Sequence, residues 1–206
     1  MRAASRTLTA AAFSLLPVAA EAHNFAKGTF FPVFAQGVGA SLNEPVALLT
    51  LIPVGLLASL WQTEGMLRIW PWQLAGLIVG VLVAIVSSPF FAIPALAGGL
   101  VCGILTVTDR QWPAVVPIGA AFVTGLLVNM VTLEGHGLGE LPVGIYTGIV
   151  AGATAITAFS AAMARVLLEK FPYFWMRLGV RIVASWTVAM TLMYLTFQLR
   201  TLLVTS

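Results

Sequence analysis

Long apolar runs separated by short polar segments make up most of this 206-residue chain. A helix needs about 20 residues to cross a ~30 Å hydrocarbon core, with a usual range of about 17–25. Six runs of about this length follow residue 44, at residues 45–61, 72–88, 91–107, 113–133, 141–168 and 174–203. The pattern predicts an all-α polytopic membrane protein in which residues 45–206 form a six-helix transmembrane bundle. The second and third runs are divided only by a Ser-Ser-Pro sequence at residues 87–89, predicted to form a tight hairpin.

The first 22 residues have the pattern of a signal peptide. Arg2 and Arg6 precede an apolar stretch at residues 8–20, and Ala-Glu-Ala at 20–22 is a small-x-small cleavage site. Cleavage there makes His23 the first residue of the mature protein; an uncleaved anchor helix is the alternative. Residues 23–44, with four phenylalanines and one lysine, are predicted to lie at the outer-face interface.

Composition supports a membrane protein and excludes several other classes. Hydrophobic residues make up 60% of the chain and charged residues 8%, whereas soluble proteins have about 45–50% and about 25%. The net charge of +3 is too small to indicate a nucleic acid partner. A single cysteine, Cys102, excludes a disulfide framework, a Cys-rich zinc site and an iron–sulfur cluster built by this chain alone.

Charge placement predicts the orientation, because loops retained in the cytoplasm carry an excess of Lys and Arg. With the mature N-terminus outside and six spans, only Lys27 and Arg200 fall on the outer side. The basic residues on the cytoplasmic side are then Arg68, Arg110, Arg165, Lys170, Arg177 and Arg181. We therefore expect a multi-pass protein of the bacterial inner membrane with both mature termini in the periplasm. The inner acids Glu64, Asp109 and Glu169 each lie within a few residues of Arg68, Arg110 or Lys170, and they are expected to be loop charges that are solvated or paired with basic residues.

Glycines four residues apart predict close helix packing. Such spacing places small residues on one helix face, where two backbones can approach each other in lipid. The sets are Gly76/Gly80, Gly99/Gly103 and Gly144/Gly148/Gly152, the last continuing into Ala155, Ala158 and Ala162. They favour one compact bundle, and they also occur in homo-oligomers.

The sequence contains little that indicates an enzyme. It has no G-x-x-x-x-G-K-[ST] nucleotide motif and no H-E-x-x-H zinc motif. Both histidines of the mature chain fall at predicted outer positions, so an intramembrane serine protease has little support. We expect a protein that is not an enzyme and uses no certain cofactor.

The candidate metal ligands all fall on the predicted outer face. They are His23, Glu44, Glu134, His136 and Glu140. Imidazole suits nickel, copper and zinc, and carboxylates can complete the coordination shell. An N-terminal histidine also offers its α-amine as a second donor.

Each candidate also has a simpler interpretation. His23 can be a disordered terminus, and residues 134–140 can be a flexible polar loop. Glu44 can cap the helix that begins at Pro45. Asn129, a polar residue inside the fourth run, can line a cavity, but hydrogen bonding to a neighbouring helix is the default expectation.

The chain resembles the HupE/UreJ family of small bacterial membrane proteins. The resemblance rests on a signal peptide ending before a histidine, six spans, Pro-Val-Gly-Leu-Leu-Ala-Ser at residues 53–59, a Gly-His-Gly segment leading to Gly-Glu-Leu-Pro at 139–142, and a fifth span rich in small residues. It implies a protein associated with hydrogenase and urease gene clusters that moves nickel or cobalt ions.

The chain also departs from that family. The H-P-x-x-G-x-D-H signature of the family's first span corresponds here to Ala-Ser-Leu-Asn-Glu-Pro-Val-Ala at residues 40–47, without histidine or aspartate. The family's histidine-rich segment is reduced to His136. Only His23, His136 and Glu140 can be placed beside family features.

The expected function is that of a membrane permease or accessory protein for a divalent transition metal, with nickel as the first choice and copper or zinc as alternatives. A non-transporting structural subunit of a larger membrane complex is the alternative, because the first-span signature is missing and aromatic residues crowd the span ends. The expected partners are the lipid bilayer, a metal ion, and further complex subunits or copies of the chain, with no nucleic acid.

Overall fold

The computed structural model describes residues 29–84, 91–136 and 139–205, and within these ranges the ordered elements are all helical. The helices are α1 (Phe30–Asn43), α2 (Pro45–Trp61), α3 (Gly65–Val83), α4 (Ala92–Thr108), α5 (Val115–Thr132), α6 (Val143–Lys170) and α7 (Phe174–Thr205). The all-α prediction is therefore confirmed for the described residues. The proposed signal peptide, His23 and the hairpin at residues 87–89 lie outside them.

Four of the helices, α3, α5, α6 and α7, are long and apolar enough to cross a membrane. Helices α1 and α2 reach that standard only together, and they meet at a bend of 78°. Helix α4 is apolar but has 17 residues. The described ranges thus contain four helices able to span, or five if the bent pair is one span, which indicates a membrane protein. Six crossings stay a prediction.

Helix α3 begins earlier than the sequence predicts. The apolar run predicts a span that starts at residue 72. Instead α3 starts at Gly65 and contains Pro71. Arg68 is tolerated in the helix because its side chain is exposed near the helix end.

Helix α2 is the centre of the bundle. Thirteen of its 17 residues are buried, and it packs against every other helix. A helix that is apolar on all sides is typical of such a central position. Within it, Gly55 lies against α6, where an added Cβ would come within 2.5 Å of the Thr157 carbonyl oxygen.

Helix α1 packs along α6. A Cβ at Gly37 would lie 2.4 Å from the Ile145 carbonyl oxygen, and one at Gly148 would lie 2.2 Å from that of Phe34. The buried Ser41 hydroxyl donates a hydrogen bond to the Ile149 carbonyl oxygen at 2.9 Å. Residues 30–43 of the segment expected at the interface are therefore a packed part of the bundle, and their depth in a membrane stays a prediction.

Helices α3 and α5 pack at a similarly short distance. An added Cβ would lie 2.1 Å from the Phe122 carbonyl oxygen at Gly76 and 2.5 Å from that of Leu126 at Gly80. The predicted glycine faces of α3 and of residues 144–152 in α6 are thus confirmed as packing faces. The continuation of the α6 face is wrong, because Ala155 and Ala162 are exposed.

Two inner acids are paired with basic residues, as expected, but their partners are not the nearest basic residues in the sequence. Asp109 binds Arg177 of α7, with Arg177 Nε to Asp109 Oδ2 at 2.7 Å and Nη2 to Oδ1 at 2.5 Å. Glu169 accepts from Arg165 Nε at 2.6 Å, one helical turn away. Arg110 instead lies over the Trp112 ring, 5.5 Å from its centroid. Helix packing and the i,i+4 spacing bring together residues that are not adjacent in the chain.

Candidate functional site

Glu44 lies at the junction of α1 and α2, at the end of the bundle that we call the acidic end. Its backbone is extended, with φ −82° and ψ 111°, and its Oε1 accepts a hydrogen bond from the Val46 N–H at 3.2 Å. Pro45, the first residue of α2, has no N–H to be capped. The capping interpretation of Glu44 is confirmed, and the half-buried carboxylate still has acceptor capacity for a second partner.

Glu134 lies in the turn that follows α5, within electrostatic range of Glu44. Its N–H donates to the Val131 carbonyl oxygen at 3.1 Å, which directs the chain back over the helix end. Partial burial of the carboxyl group, and then the negative charge of Glu44, raise the pKa of Glu134 above its ordinary value of 4.5. We call Glu44 and Glu134 the acidic pair. Two neighbouring carboxylates repel each other, so a bound proton or cation between them is favoured.

His136 belongs to the same turn as Glu134. Its N–H donates to the Leu133 carbonyl oxygen at 3.0 Å, and its ring Nδ1 lies 3.2 Å from the Glu134 carbonyl oxygen. Gly135 between them has φ 80°, a left-handed conformation that suits glycine. The half-buried imidazole of His136 therefore lies beside the backbone of Glu134.

Glu140 is exposed at the far end of the same connection. The N–H of the preceding Gly139 donates to the Tyr146 hydroxyl at 3.2 Å, and Gly139 has φ 87°. Residues 137 and 138 lie outside the described ranges. Within the described ranges, no three His, Cys, Asp or Glu residues form a group able to hold a metal ion. The site of His23, Glu44, Glu134, His136 and Glu140 stays a prediction, and the structure places two of these residues, Glu44 and Glu134, within electrostatic range of each other.

Asn129 lies in α5 below the acidic pair. Its Nδ2 donates to the Leu77 carbonyl oxygen of α3 at 2.7 Å, so the expected bond to a neighbouring helix is confirmed. Its side chain is fully buried. Its Oδ1 is buried too, without a hydrogen-bond partner in the described part of the chain.

Gln73 of α3 was not among the residues selected from the sequence. It is fully buried, and its Nε2 donates to the Thr157 hydroxyl of α6 at 2.6 Å. Its Oε1, like Asn129 Oδ1, finds no partner among the described residues. The available signal was its position as the one amide in the otherwise apolar stretch 69–84. That signal is weak, because an amide in a span usually serves helix association.

Together these groups form what we call the polar track: Glu44, Glu134, Asn129 and Gln73. The Leu133 N–H donates to the Asn129 carbonyl oxygen at 3.0 Å, so Asn129 lies about one helical turn below the Glu134 turn. Gln73 lies one further turn down α3, because Asn129 binds the backbone of Leu77, four residues later. The track leads from the acidic end towards the middle of the bundle.

The free atoms of the track are all oxygens that accept hydrogen bonds or coordinate cations. An unsatisfied buried carbonyl oxygen costs about 1–3 kcal/mol. A water molecule or a cation entering from the acidic end would satisfy the two amide oxygens. The arrangement can therefore attract a cation with carboxylates and then solvate it with amide oxygens.

Comparisons with known protein families, with characterised proteins and with solved structures find no match to this chain.

Proposed function

We propose that this protein is a HupE/UreJ-like membrane permease, or accessory protein, for a divalent cation. The observation that carries the proposal is the acidic pair at one end of the bundle, continued inward by two buried amide oxygens without partners in the described part of the chain. The resemblance of the sequence to the HupE/UreJ family supports the same conclusion independently.

The acidic pair would be the first binding position for the cation. A cation between Glu44 and Glu134 relieves their repulsion, and the carboxylates replace part of its hydration shell. Glu44 is held in place by its bond to the Val46 N–H. The Glu134 turn is held by the Val131 bond. Because the Glu44 carboxylate and the backbone of the Glu134 turn are anchored, less ordering is needed when the ion binds.

The amide oxygens would form the next position. Asn129 and Gln73 each have one side-chain nitrogen engaged with a neighbouring helix, which leaves the oxygen atom available. The Gln73 side chain connects α3 to α6 through its hydrogen bond to Thr157. A movement of α6 against α3 would therefore change access to the Gln73 Oε1 atom. Alternating access through this contact is part of the proposal.

Nickel remains the first choice of cation because of the family resemblance and because of His136. Imidazole favours nickel, copper and zinc over magnesium and calcium, and His136 is the imidazole group in the described turn beside the acidic pair. Oxygen ligands alone would suit magnesium, calcium or manganese better. The histidine is therefore the residue that decides the selectivity.

Uptake into proteoliposomes tests the proposal. The purified protein is reconstituted, and entry of Ni²⁺ is followed with an internal metal-sensitive dye, with Mg²⁺ and Zn²⁺ in parallel. We expect uptake by the wild type and at least a tenfold loss in the Glu44→Gln/Glu134→Gln double variant. Glutamine keeps an oxygen that can cap α2, so the charge is what changes. Glu64→Gln at the opposite end is the matched control. Equal uptake by empty liposomes, or by the double variant, contradicts the proposal.

A structural role in a larger complex is the second candidate, and a ridge on α7 favours it. Trp186, Met190, Met193 and Phe197 are spaced four, three and four residues apart and are 69%, 55%, 72% and 64% exposed. Such a ridge is suited to insertion between helices of another subunit. Purification in a mild detergent separates the candidates, because a structural subunit retains a stoichiometric partner and loses it when Trp186 and Met193 are replaced by alanine.

A further inference from the structure

A cavity of about 720 Å³ opens at the end of the bundle opposite the acidic pair, where α2 ends and α6 turns into α7. We call this end the basic end. Three arginines from three helices line the cavity: Arg68 of α3, Arg165 of α6 and Arg177 of α7. Tyr173 and Phe174 complete one wall, and Tyr173 stacks on Trp175 with ring centroids 5.7 Å apart. Aromatic residues beside cationic ones are typical of the level of lipid headgroups.

Two of the three arginines, Arg165 and Arg177, are held in place but keep donors for a ligand. A guanidinium has five N–H donors. Asp109 accepts from Nε and Nη2 of Arg177, and the Leu60 carbonyl oxygen lies 3.4 Å from Nη2, so Nη1 is not engaged by these contacts. Glu169 accepts from Nε of Arg165, which leaves both of its terminal nitrogens. Anchored guanidinium groups bind phosphate well because little side-chain entropy is lost.

The charge balance of this end favours an anion. The acids here are Glu64, Asp109 and Glu169, of which two are paired with cavity arginines. The basic residues at the same end are Arg68, Arg110, Arg165, Lys170, Arg177 and Arg181. Six basic and three acidic residues leave an excess of three positive charges among the described residues at this end. The electrostatic potential of the cavity therefore remains positive after the two ion pairs are counted.

An apolar groove lies on neighbouring turns of the helices that line the cavity. It has a volume of about 750 Å³ between α2, α6 and α7, and its walls are apolar apart from Ser160. The same three helices supply neighbouring turns to both spaces: Leu56 and Leu60 on α2, Leu167 and Leu168 on α6, and Met176 and Arg177 on α7. The groove exists because α6 and α7 pack little against each other although they are consecutive.

The length of the groove matches one lipid chain. On α2 its wall runs from Leu48 to Leu56, and Leu60 borders the cavity. From Leu48 to Leu60 there are twelve residue steps, which at ~1.5 Å each span about 18 Å. Half of a ~30 Å hydrocarbon core is about 15 Å. An acyl chain whose headgroup lies at the arginines would thus fill the groove.

We propose that the cavity and the groove together bind one anionic phospholipid, with its phosphate at Arg68, Arg165 and Arg177 and an acyl chain between α6 and α7. Basic pockets between helices at a membrane surface are suited to phosphate-bearing lipid headgroups. A soluble phosphate would use the arginines and leave the adjoining apolar groove unfilled. The lipid would also connect α6 to α7, so it would stabilise the bundle.

Lipid retention and thermal unfolding of the whole protein test this proposal. The protein is purified in detergent, incubated with equal amounts of phosphatidylglycerol and phosphatidylcholine, and the retained lipids are measured by native mass spectrometry. We expect about one phosphatidylglycerol per chain, at least tenfold over phosphatidylcholine, and an unfolding temperature that rises with phosphatidylglycerol. Inorganic phosphate should not reproduce that rise.

Two variants address the two halves of the site. Arg68→Gln should lower phosphatidylglycerol retention about tenfold, as expected for one charge-assisted hydrogen bond, with Arg200→Gln at the other end of α7 as its control. Gly179→Phe should block the groove, because no described atom lies within 4 Å of a Cβ there and the ring would enter the groove. Gly119→Phe, also with no described atom in that range, is the matched control.

Three results would overturn the proposal. Equal retention of both lipids by the wild type would show nonspecific solvation. Equal stabilisation by inorganic phosphate, with no effect of Gly179→Phe, would show a site for a soluble anion. Retention by Arg68→Gln equal to that of the wild type would remove the headgroup assignment. The wild-type measurements decide the question even if Gly179→Phe does not fold, and none of them depends on cation transport.

Discussion

Glu44 and Glu134 lie close enough for the charge of Glu44 to raise the pKa of Glu134, although one caps the start of α2 and the other follows α5. This electrostatic interaction links two separate features of the chain, a helix cap and a polar turn, at one end of the bundle.

Removing the Glu134 charge should change how stability depends on pH. Because the pKa of Glu134 is raised in the folded protein by burial and by Glu44, the folded state binds a proton more readily than the unfolded chain. Stability should therefore fall as pH rises from 4.5 through the raised value, and remain lower above it. Glu134→Gln should lose this fall and unfold at a higher temperature than the wild type at pH 7.

Thermal unfolding in metal-free buffer between pH 4 and 8 is the measurement, and the exposed Glu140→Gln is the control. Parallel profiles for wild type and Glu134→Gln would contradict the assignment.

A methyl group at Gly76 should destabilise the contact between α3 and α5. Alanine is favoured over glycine in a helix by about 0.8–1 kcal/mol. Here, however, the Cβ would lie 2.1 Å from a backbone carbonyl oxygen that cannot move independently. Overpacking costs about 1–3 kcal/mol, so we expect Gly76→Ala to lower the free energy of unfolding by about 1–2 kcal/mol. Gly119→Ala should be neutral or stabilising, because no described atom lies within 4 Å of its Cβ position. Denaturant unfolding in detergent measures both, and equal effects would argue against the close approach.

Replacing Gln73 should separate stability from transport. Gln73→Leu removes the bond to Thr157 but also removes an amide oxygen that is unpaired among the described residues. Interhelical hydrogen bonds in membranes contribute about 0.6 kcal/mol on average, so stability should change by about 1 kcal/mol or less. Cation uptake should fall at least tenfold if the oxygen solvates the ion. Thr124→Val is the control, because that buried hydroxyl bonds to carbonyl groups of its own helix. Normal uptake by Gln73→Leu would remove Gln73 from the track.

Asp109 should matter for two separable reasons. It has φ 48°, and it binds Arg177 with a side chain that is 18% exposed. Asp109→Asn tolerates the left-handed conformation and removes the charge, so it should cost up to about 1 kcal/mol, and less at high salt. Asp109→Ala also forces a less tolerant residue into that conformation, which costs a further ~1–2 kcal/mol. Thermal unfolding of both variants at low and high salt tests the order, which would be wrong if alanine were tolerated better than asparagine.

Much of the helical architecture could be predicted from the sequence. In an apolar environment every backbone N–H and C=O must be bonded within the chain, so a long apolar run can form little except a helix. That reasoning located α2, α4, α5, α6 and α7 to within a few residues. It failed at α3, where the predicted span starts at residue 72 but the helix starts at Gly65 and includes Arg68 and Pro71. Local composition does not show that a charged residue near a helix end can be exposed.

What the sequence by itself determined is therefore the class of structure, the helices and the glycine faces that let two of them approach. Tertiary structure alone decided which residues meet: Glu44 with Glu134, Asp109 with Arg177 rather than its neighbour Arg110, and Gln73 with Thr157. The physical reason is that helix formation depends on residues within one or two turns, whereas each of these contacts depends on how helices distant in the chain pack. The acidic pair and the arginine-lined cavity exist only because that packing places short-range features side by side.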